Sequence, residues 1–210
     1  MFHYKKIIIP LLLSSLILLT SGSLNLEFTK NSKVSYLSFG QNSESTNNSN
    51  IETAEWLTFS NKKFELKHPS NWEVEKKLSK FHILDLKLIK DDPFSFIGIS
   101  FSSLTKSDEF TNEQILEQSE IFGKSVSSSG YENYQVLEKN LHKYTIDLNP
   151  TAMHIVKYKY KENNLEGKMM EIFSIINKNL FTLTYQSTLE NFDKDLPIVE
   201  RVVESIKILG

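Results

Sequence analysis

Residues 167–208 read GKMMEIFSIINKNLFTLTYQSTLENFDKDLPIVERVVESIKI, and they contain the clearest periodic patterns in the chain. Residues 169–176 are mostly apolar, and in residues 181–186 Phe, Leu and Tyr alternate with Thr and Gln, which is the period of a half-buried strand. Asn177-Lys178-Asn179 lies between these runs, and Asn tolerates the positive φ that tight hairpins need. The stretch therefore predicts a β-hairpin.

The pattern then changes to that of a helix. Leu196, Val199, Val203 and Ile206 are spaced three, four and three residues apart, so they lie on one helical face. An apolar face has to be buried, and the preceding hairpin is the nearest surface for it. We therefore expect the terminal helix to pack on the sheet that this hairpin belongs to.

The same patterns extend back to Trp56. An earlier helix begins at a capping box, Thr111 with Gln114, carries an apolar stripe of Ile115, Leu116, Ser119, Phe122 and Val126, and ends in residues 127–130. Short loops connect the remaining strands, which favours antiparallel neighbours. The order of strands, helix, strands and helix predicts an α+β domain with a central antiparallel β-sheet sandwiched by helices. The predicted strands are 56–59, 64–67, 72–74, 81–89, 95–101, 131–138, 153–160, 167–176 and 180–186.

The first 23 residues have the composition of an export signal. Lys5 and Lys6 precede an apolar run from Ile7 to Leu19, and small residues follow it in TSGS, residues 20–23. Because the run is shorter than the ~20 residues that span a bilayer, we expect cleavage after Gly22 or Ser23. The alternative is an uncleaved anchor, and only this segment would then tie the protein to a membrane.

Residues 24–53 are expected to form a disordered tether, and residues 54–210 the folded domain. The run QNSESTNNSN, residues 41–50, has no apolar residue with which to offset the entropy cost of ordering. Asn47 also begins an N-glycosylation acceptor pattern, although three residues are weak evidence in so Asn- and Ser-rich a segment.

Composition excludes several classes of function. Four of the 24 Lys and Arg and three of the 26 Asp and Glu precede residue 54, which leaves 20 basic against 23 acidic residues in the domain. This balance gives no reason to expect nucleic-acid binding. The chain has no Cys, so it has no disulfides, thiol catalysis or zinc–thiolate sites.

Two end motifs resemble the PsbP family of extrinsic photosystem II proteins and their wider relatives. FELKHPSNW, residues 64–72, looks like the family's strand that ends in a Tyr-Pro-x-x-Trp type of turn. LFTLTY, residues 180–185, followed by Phe192, Leu196-Pro197 and SIKI, residues 205–208, looks like its closing unit. The resemblance covers residues 56–209.

The resemblance implies a PsbP-like α/β/α sandwich with no known catalytic residues. The photosynthetic members dock on photosystem II and help to retain calcium and chloride, largely through an N-terminal segment and basic surface residues. This chain has an Asn- and Ser-rich tether and a mildly acidic domain instead, so that role is not carried over. A non-photosynthetic exported member of the family is the expectation.

The sequence shows no pattern of catalytic or cofactor-binding residues. The histidines are His3 in the signal and His68, His82, His142 and His154, none at HExxH or His-x-His spacing. There is no G-x-S-x-G elbow and no Gly-rich phosphate loop. We therefore expect no enzymatic activity, no cofactor and no metal site. The alternative is a site assembled by the fold from His82, His142, Asp147, His154 and carboxylates, since some PsbP proteins bind divalent metals through such groups.

Two further groups of residues have both a functional and a purely structural interpretation. Tyr158 and Tyr160 alternate with Lys157, Lys159 and Lys161, a stripe that could contact an acidic partner or a glycan. Period-two alternation explains it without a ligand, with the tyrosines under a helix and the lysines in solvent. Trp56 and Trp72 are core residues or exposed interface anchors, and the size of aromatic side chains favours the core.

These observations favour a non-catalytic, extracytoplasmic binding or assembly module that docks on a partner protein or envelope complex. The alternative is an exported metal-dependent factor or enzyme. An export signal and the absence of any recognisable reaction site support the first hypothesis.

Overall fold

The computed structural model describes residues 55–75, 84–91, 94–104, 110–126, 131–161 and 164–209. The predicted signal, the tether with Asn47, and His82 lie outside these residues. Ten strands and two helices are described, in the order β1 (Trp56–Ser60), β2 (Phe64–Pro69), β3 (Glu73–Glu75), β4 (Leu86–Lys90), β5 (Ser95–Ser103), α1 (Asn112–Val126), β6 (Tyr131–Ile146), β7 (Asn149–Tyr160), β8 (Glu166–Ile176), β9 (Asn179–Thr188), α2 (Leu189–Glu204) and β10 (Lys207–Ile208).

Every strand pairing in the described residues is antiparallel, as the short loops predict. The strands form two sheets, however, one of seven strands in the order β3-β4-β5-β9-β8-β7-β6 and one of three in the order β1-β2-β10. The short strand β10 joins β2 from the far end of the chain, where the sequence predicts only the end of a helix. Residues Lys207 and Ile208 are too few to carry a periodic pattern, so this pairing has no local signal.

The predicted hairpin is confirmed. Asn177 and Lys178 both have positive φ, 49° and 62°, as in a type I′ turn, and Ile176 pairs directly with Asn179. This turn geometry matches the right-handed twist of the flanking strands, which is why it closes a two-residue hairpin.

The hairpin of β6 and β7 is longer than the sequence predicts. Strand β6 continues to Ile146, and β7 begins at Asn149, with Asp147 and Leu148 at φ 48° and 67° in the turn between them. Residues 139–145 show no alternation because β6 is the edge strand of the seven-stranded sheet, where every side chain of this stretch except the half-buried Tyr144 is exposed. Three register shifts interrupt its pairing with β7, a common feature of edge strands.

The main core lies between the seven-stranded sheet and a layer built from α2 and the three-stranded sheet. Phe64 and Leu66 of β2, Trp72, and Phe192, Val199 and Val203 of α2 all belong to it. Helix α1 covers the opposite face, where Ile115 and Leu116 pack on Ala152 and Phe173. Its capping box is confirmed, with Thr111 N donating to Gln114 Oε1 at 2.8 Å and Gln114 N to Thr111 Oγ1 at 3.3 Å.

The prediction of a helix-sandwiched sheet is correct only in part. The antiparallel sheet is present and the two helices pack on opposite faces, but strands dominate the molecule and part of one outer layer is itself a sheet. The architecture is therefore a sheet-dominated α+β fold. Strands β1 and β2 pair with each other but belong to the smaller sheet, which the sequence does not predict because a period of two does not say which sheet a strand joins.

Candidate functional site

A row of polar side chains crosses the centre of the seven-stranded sheet on the face that α1 partly covers. His154 of β7 lies directly opposite Glu171 of β8, and Glu171 lies directly opposite Thr184 of β9. Directly opposite residues in antiparallel strands point to the same face, so these three, here called the polar row, line up side by side. All three are at most 1% exposed.

One carboxylate oxygen is the centre of this row. Glu171 Oε2 lies 2.7 Å from His154 Nε2 and accepts a hydrogen bond from Ser119 Oγ of α1 at 3.0 Å. An ionised carboxylate only accepts, so with Glu171 ionised the imidazole donates from Nε2. Ser119 therefore links α1 to the polar row, and it is itself 3% exposed.

Several polar atoms of this face have no hydrogen-bond partner among the described residues. They are His154 Nδ1, Glu171 Oε1, Thr184 Oγ1, Thr182 Oγ1, Gln186 Oε1 and Tyr134 OH. A buried polar atom left unpaired costs about 1–3 kcal/mol, so each unpaired atom on this face lowers the stability of the fold. Burial raises the pKa of the Tyr134 phenol, and the nearby Glu171 and Glu120 carboxylates raise it further.

Ser119, His154 and Glu171 are residue types of a catalytic triad, but their geometry does not suit nucleophilic catalysis. In a triad the serine donates to the imidazole, and the carboxylate orients the opposite ring nitrogen. Here the serine and the imidazole both bond to the same carboxylate oxygen, so the imidazole is not placed to take the serine proton. All three are nearly inaccessible to solvent. The arrangement can hold α1 on the sheet, which is a structural role.

A tyrosine cluster lies on the same face beside the polar row. The ring centroid of Tyr131 is 5.0 Å from that of Tyr158 and 5.2 Å from that of Tyr160, and Gln186 Nε2 donates to both of the latter hydroxyls. Burial raises the pKa of Tyr160 to about 12 and that of Tyr158 well above its usual value. Gly167 faces Tyr158 so closely that a Cβ at that position would lie 2.7 Å from the ring, which leaves room only for glycine.

The tyrosines and the lysines of the stripe lie on opposite sides of the strand, as the period of two predicts. Tyr158 is buried and Tyr160 half-buried, and both pack on Tyr131, whereas the lysines point to the other side of the strand. Lys157 pairs with Glu166 at 2.8 Å. The tyrosines pack within an aromatic cluster and not under a helix.

The histidines and Asp147 proposed for a metal site are not brought together in the described residues. His154 is buried in the polar row, while His142 is exposed on the edge strand and Asp147 is in the β6–β7 turn, where its Oδ2 accepts from Ile208 N at 3.3 Å. His68 is buried, with Nδ1 3.0 Å from the carbonyl of Pro69. The described part of the chain holds no group of three or more His, Asp or Glu side chains arranged for a metal ion.

The two tryptophans occupy different environments. Trp72 is 1% exposed and belongs to the main core. Trp56 is half-buried at the margin of that core, and the Arg201 guanidinium of α2 lies over its ring at 4.4 Å. Both are therefore tied to the fold, with Trp56 held by a cation–π contact.

A second buried cluster fixes α2 to the inner strands β4, β5 and β9 of the seven-stranded sheet. Asp195 accepts from Lys90 Nζ at 2.8 Å and from Ser95 Oγ at 2.7 Å, and Ser95 Oγ lies 2.8 Å from Ser187 Oγ. Unlike the polar row, this cluster has both carboxylate oxygens partnered. Hydrogen bonds to both oxygens stabilise the buried carboxylate.

The sequence contains weak signals for the buried polar residues that its analysis did not single out. Glu171 is the one charged residue in the mostly apolar run MMEIFSII, residues 169–176, and Ser119 occupies a position on the apolar stripe of α1. Asp195 lies one residue before Leu196, close to the apolar face of α2. A polar residue at a position that the period assigns to the core is a reason to look for a partner.

No helix in the described part of the chain is both long enough and apolar enough to cross a membrane. No family model matches the sequence, and no curated protein matches it.

Solved structures do show a similar fold. The solution structure of cyanobacterial PsbP (CyanoP) from Synechocystis sp. PCC 6803 is 13% identical with a TM-score of 0.55, over 78% of this chain and 98% of that chain. LpqN of Mycobacterium tuberculosis, a protein involved in cell envelope biogenesis, is 9% identical with a TM-score of 0.51, over 76% and 87% of the two chains. The predicted PsbP-like fold is therefore confirmed as a fold, while membership of the family by sequence is not shown.

Proposed function

We propose that this protein is an exported, non-catalytic binding or assembly module that docks on a partner protein or envelope complex. The observation that carries the proposal is the fold that the chain shares with PsbP and LpqN over three quarters of its length. LpqN is involved in cell envelope biogenesis, and the family that the end motifs resemble works by docking on a larger assembly.

The N-terminal sequence supports a location outside the cytoplasm. Lys5 and Lys6, the apolar run and the small residues after it have the order of a secretory signal. A tether of 30 residues, 24–53, would let the domain search a volume around an uncleaved anchor, or would be a loose arm once the signal is removed. Both outcomes suit a module that works by contact.

The buried contact between α1 and the polar row supports a role without turnover. The residues that could react, Ser119, His154 and Glu171, bond in an order that does not activate the serine, and each is at most 3% exposed. An enzyme needs such groups within reach of a substrate. In this fold their hydrogen bonds hold α1 on the sheet.

Native cross-linking tests the proposal. The full chain with a C-terminal tag is produced in its own host, the envelope is treated briefly with a short cross-linker, and the tagged protein is sized under native and denaturing conditions. We expect a discrete, stoichiometric complex larger than the 24.3 kDa chain, absent from cells that produce the core-disrupting Val203→Asp variant. A folded protein that remains a free monomer in every fraction would contradict docking.

Calorimetry with Ca²⁺, Mn²⁺ and Zn²⁺ tests the alternative, a metal-dependent factor. The described residues do not bring His142, Asp147 and His154 together, so we expect no stoichiometric binding. Micromolar binding that is lost in His142→Ala or His154→Ala would replace the adaptor proposal with the metal-dependent one.

A further inference from the structure

Two hairpin turns and the C-terminal strand meet at one end of the molecule. The β6–β7 and β8–β9 turns are neighbours because β7 and β8 pair antiparallel, and Ser174 Oγ donates to the Pro150 carbonyl between them. The backbone of β10 joins this end, since Ile208 N donates to Asp147 Oδ2 and Leu209 N to the Lys63 carbonyl. The β1–β2 turn therefore lies at the same end.

Two leucines and two lysines are among the side chains that are exposed at this end. Leu148 is 93% exposed and Leu209 is 51% exposed, while Lys62 and Lys178 are exposed lysines. We call these four residues the turn-tip surface. Adjacent strands are about 4.8 Å apart, so the β6–β7 and β8–β9 turns, two strands apart, are about 10 Å from each other.

Leu148 is held in a backbone conformation that disfavours it. Its φ is 67°, at the second central position of a turn where Gly or Asn is the usual residue. A branched apolar side chain in the left-handed region is strained. Because Leu148 is almost fully exposed, packing contacts do not offset that strain. Neither local structure nor the core explains a leucine at this position.

The exposed unpaired charges around Leu148 are those of two lysines and of one carboxylate, Asp147. Lys62 and Lys178 have no carboxylate partner in the described part of the chain, whereas the acidic groups nearby are engaged. Asp85 pairs with Lys63 at 2.7 Å, and Asp147 accepts from the backbone of β10. Lys62 and Lys178 against the single carboxylate of Asp147 leave this end with a net positive charge, in a domain that is mildly acidic as a whole.

We propose that the turn-tip surface docks on an anionic lipid surface, with Leu148 and Leu209 entering the headgroup region and Lys62 and Lys178 contacting phosphates. Apolar side chains flanked by lysines are the composition of membrane-surface contacts, because the apolar groups leave water while long lysine stems keep the ammonium groups among the headgroups. Protein interfaces have the opposite bias, with Tyr, Trp and Arg enriched and Lys depleted. This contact goes beyond the docking proposed above and can fail without affecting it.

Site-specific labelling tests the proposal. The chain has no Cys, so Leu148→Cys and, as a control, Ile121→Cys each provide a single site for an environment-sensitive fluorophore on the full chain. Ile121 is 61% exposed on α1 and about 14 Å along the helix axis from Asn112, which contacts the Pro150 carbonyl. With vesicles of equal parts phosphatidylglycerol and phosphatidylcholine, we expect a blue shift and brighter emission at residue 148 only.

Two glycine substitutions separate docking from folding. Because glycine suits positive φ, Leu148→Gly should leave the Tm no lower than that of wild type, yet weaken vesicle binding about tenfold through the lost leucine. Lys178→Gly, also at positive φ, should weaken binding about fivefold at low salt and lose that difference at high salt.

Any of three results would overturn the proposal. They are a residue-148 probe that stays in water with these vesicles, equal changes at residues 148 and 121, and unchanged affinity of Leu148→Gly. A residue-148 probe that responds to envelope proteins and not to vesicles would mean that the turn-tip surface binds protein. Because every variant keeps the same N-terminal segment, differences between variants report on the turn tips alone.

Discussion

Thr184 and Thr151 are both buried threonines in neighbouring parts of one sheet, but their hydroxyls have different environments. Thr151 Oγ1 donates to the Tyr144 carbonyl at 2.8 Å, whereas Thr184 Oγ1 has no partner among the described residues. Both side chains are 0% exposed. The pair therefore isolates the effect of a hydrogen bond from that of burial.

Valine has nearly the shape of threonine without the hydroxyl, so it tests this difference directly. Thr184→Val should raise the free energy of unfolding by about 1 kcal/mol because it removes an unpaired buried polar atom. Thr151→Val should lower it by about 1–2 kcal/mol because it leaves the Tyr144 carbonyl without its donor. Urea denaturation of the two variants and the wild type measures both changes. A loss of stability in Thr184→Val would show that its hydroxyl has a partner in solution.

At the scale of the element, α2 has one buried face, as the sequence predicts. Phe192, Asp195, Val199, Val202 and Val203 are buried, while Leu196 is half-buried. The helix ends at Glu204, so Ile206 reaches the core from the segment that follows and not from the helix. Glu200 is also half-buried and accepts from Tyr144 OH at 2.8 Å. The helical period identifies the face correctly but not the point where the helix stops.

Val203 and Glu204 are adjacent residues in the last turn of α2 with opposite environments. Val203 is 1% exposed in the main core, and Glu204 faces solvent. Val203→Asp should cost about 3–5 kcal/mol by burying an unpaired charge, whereas Glu204→Asp should cost under about 0.5 kcal/mol. Thermal unfolding followed by circular dichroism measures both. Similar losses for the two variants would mean that this face of α2 is not the buried one.

Glu120 makes the attachment of α1 dependent on pH. Hydrogen bonds from Lys124 and Lys139, the latter on β6, lower the pKa of its carboxyl from 4.5 to about 2. A depressed folded-state pKa stabilises the fold above the unfolded-state value near 4.5, and this contribution is lost as pH falls from there toward about 2.

We expect Glu120→Gln to lose less stability than the wild type when the pH is lowered. Urea midpoints at about pH 6 and about pH 3 should differ less in that variant, since its amide does not titrate. Glu117→Gln is the matched control, because Glu117 is an exposed acid on the same helix. If Glu117→Gln changes the acid sensitivity as much as Glu120→Gln does, the contacts of Glu120 are not the cause.

At the scale of the whole molecule, the described strands and helices begin after residue 55. Residues 54–210 should therefore fold without the preceding segment, since residues 41–50 have no apolar side chain to add to a core. Limited proteolysis followed by mass spectrometry should trim the chain to near residue 54, and urea midpoints of the long and short chains should agree. A short chain that no longer unfolds cooperatively would contradict this boundary.

The sequence by itself determined the features that depend on neighbours along the chain. The β8–β9 hairpin, the capping box of α1, the buried face of α2 and the antiparallel order all follow from periods and turn residues within about ten positions. The PsbP-like fold is implied by the resemblance of the two end motifs, and the similarity to CyanoP confirms it as a fold. The absence of a catalytic motif is likewise a property of the sequence alone.

The tertiary structure decided what depends on contacts between distant residues. Three features join positions that lie from 17 to more than 100 residues apart. They are the pairing of β10 with β2, the contact among Ser119, His154 and Glu171, and the position of Leu148, Leu209, Lys62 and Lys178 at one end. A period of two assigns a side chain to a face but does not say which strand lies beside it. Packing of the whole chain determines which strands are neighbours. The polar row and the turn-tip surface form only through that packing.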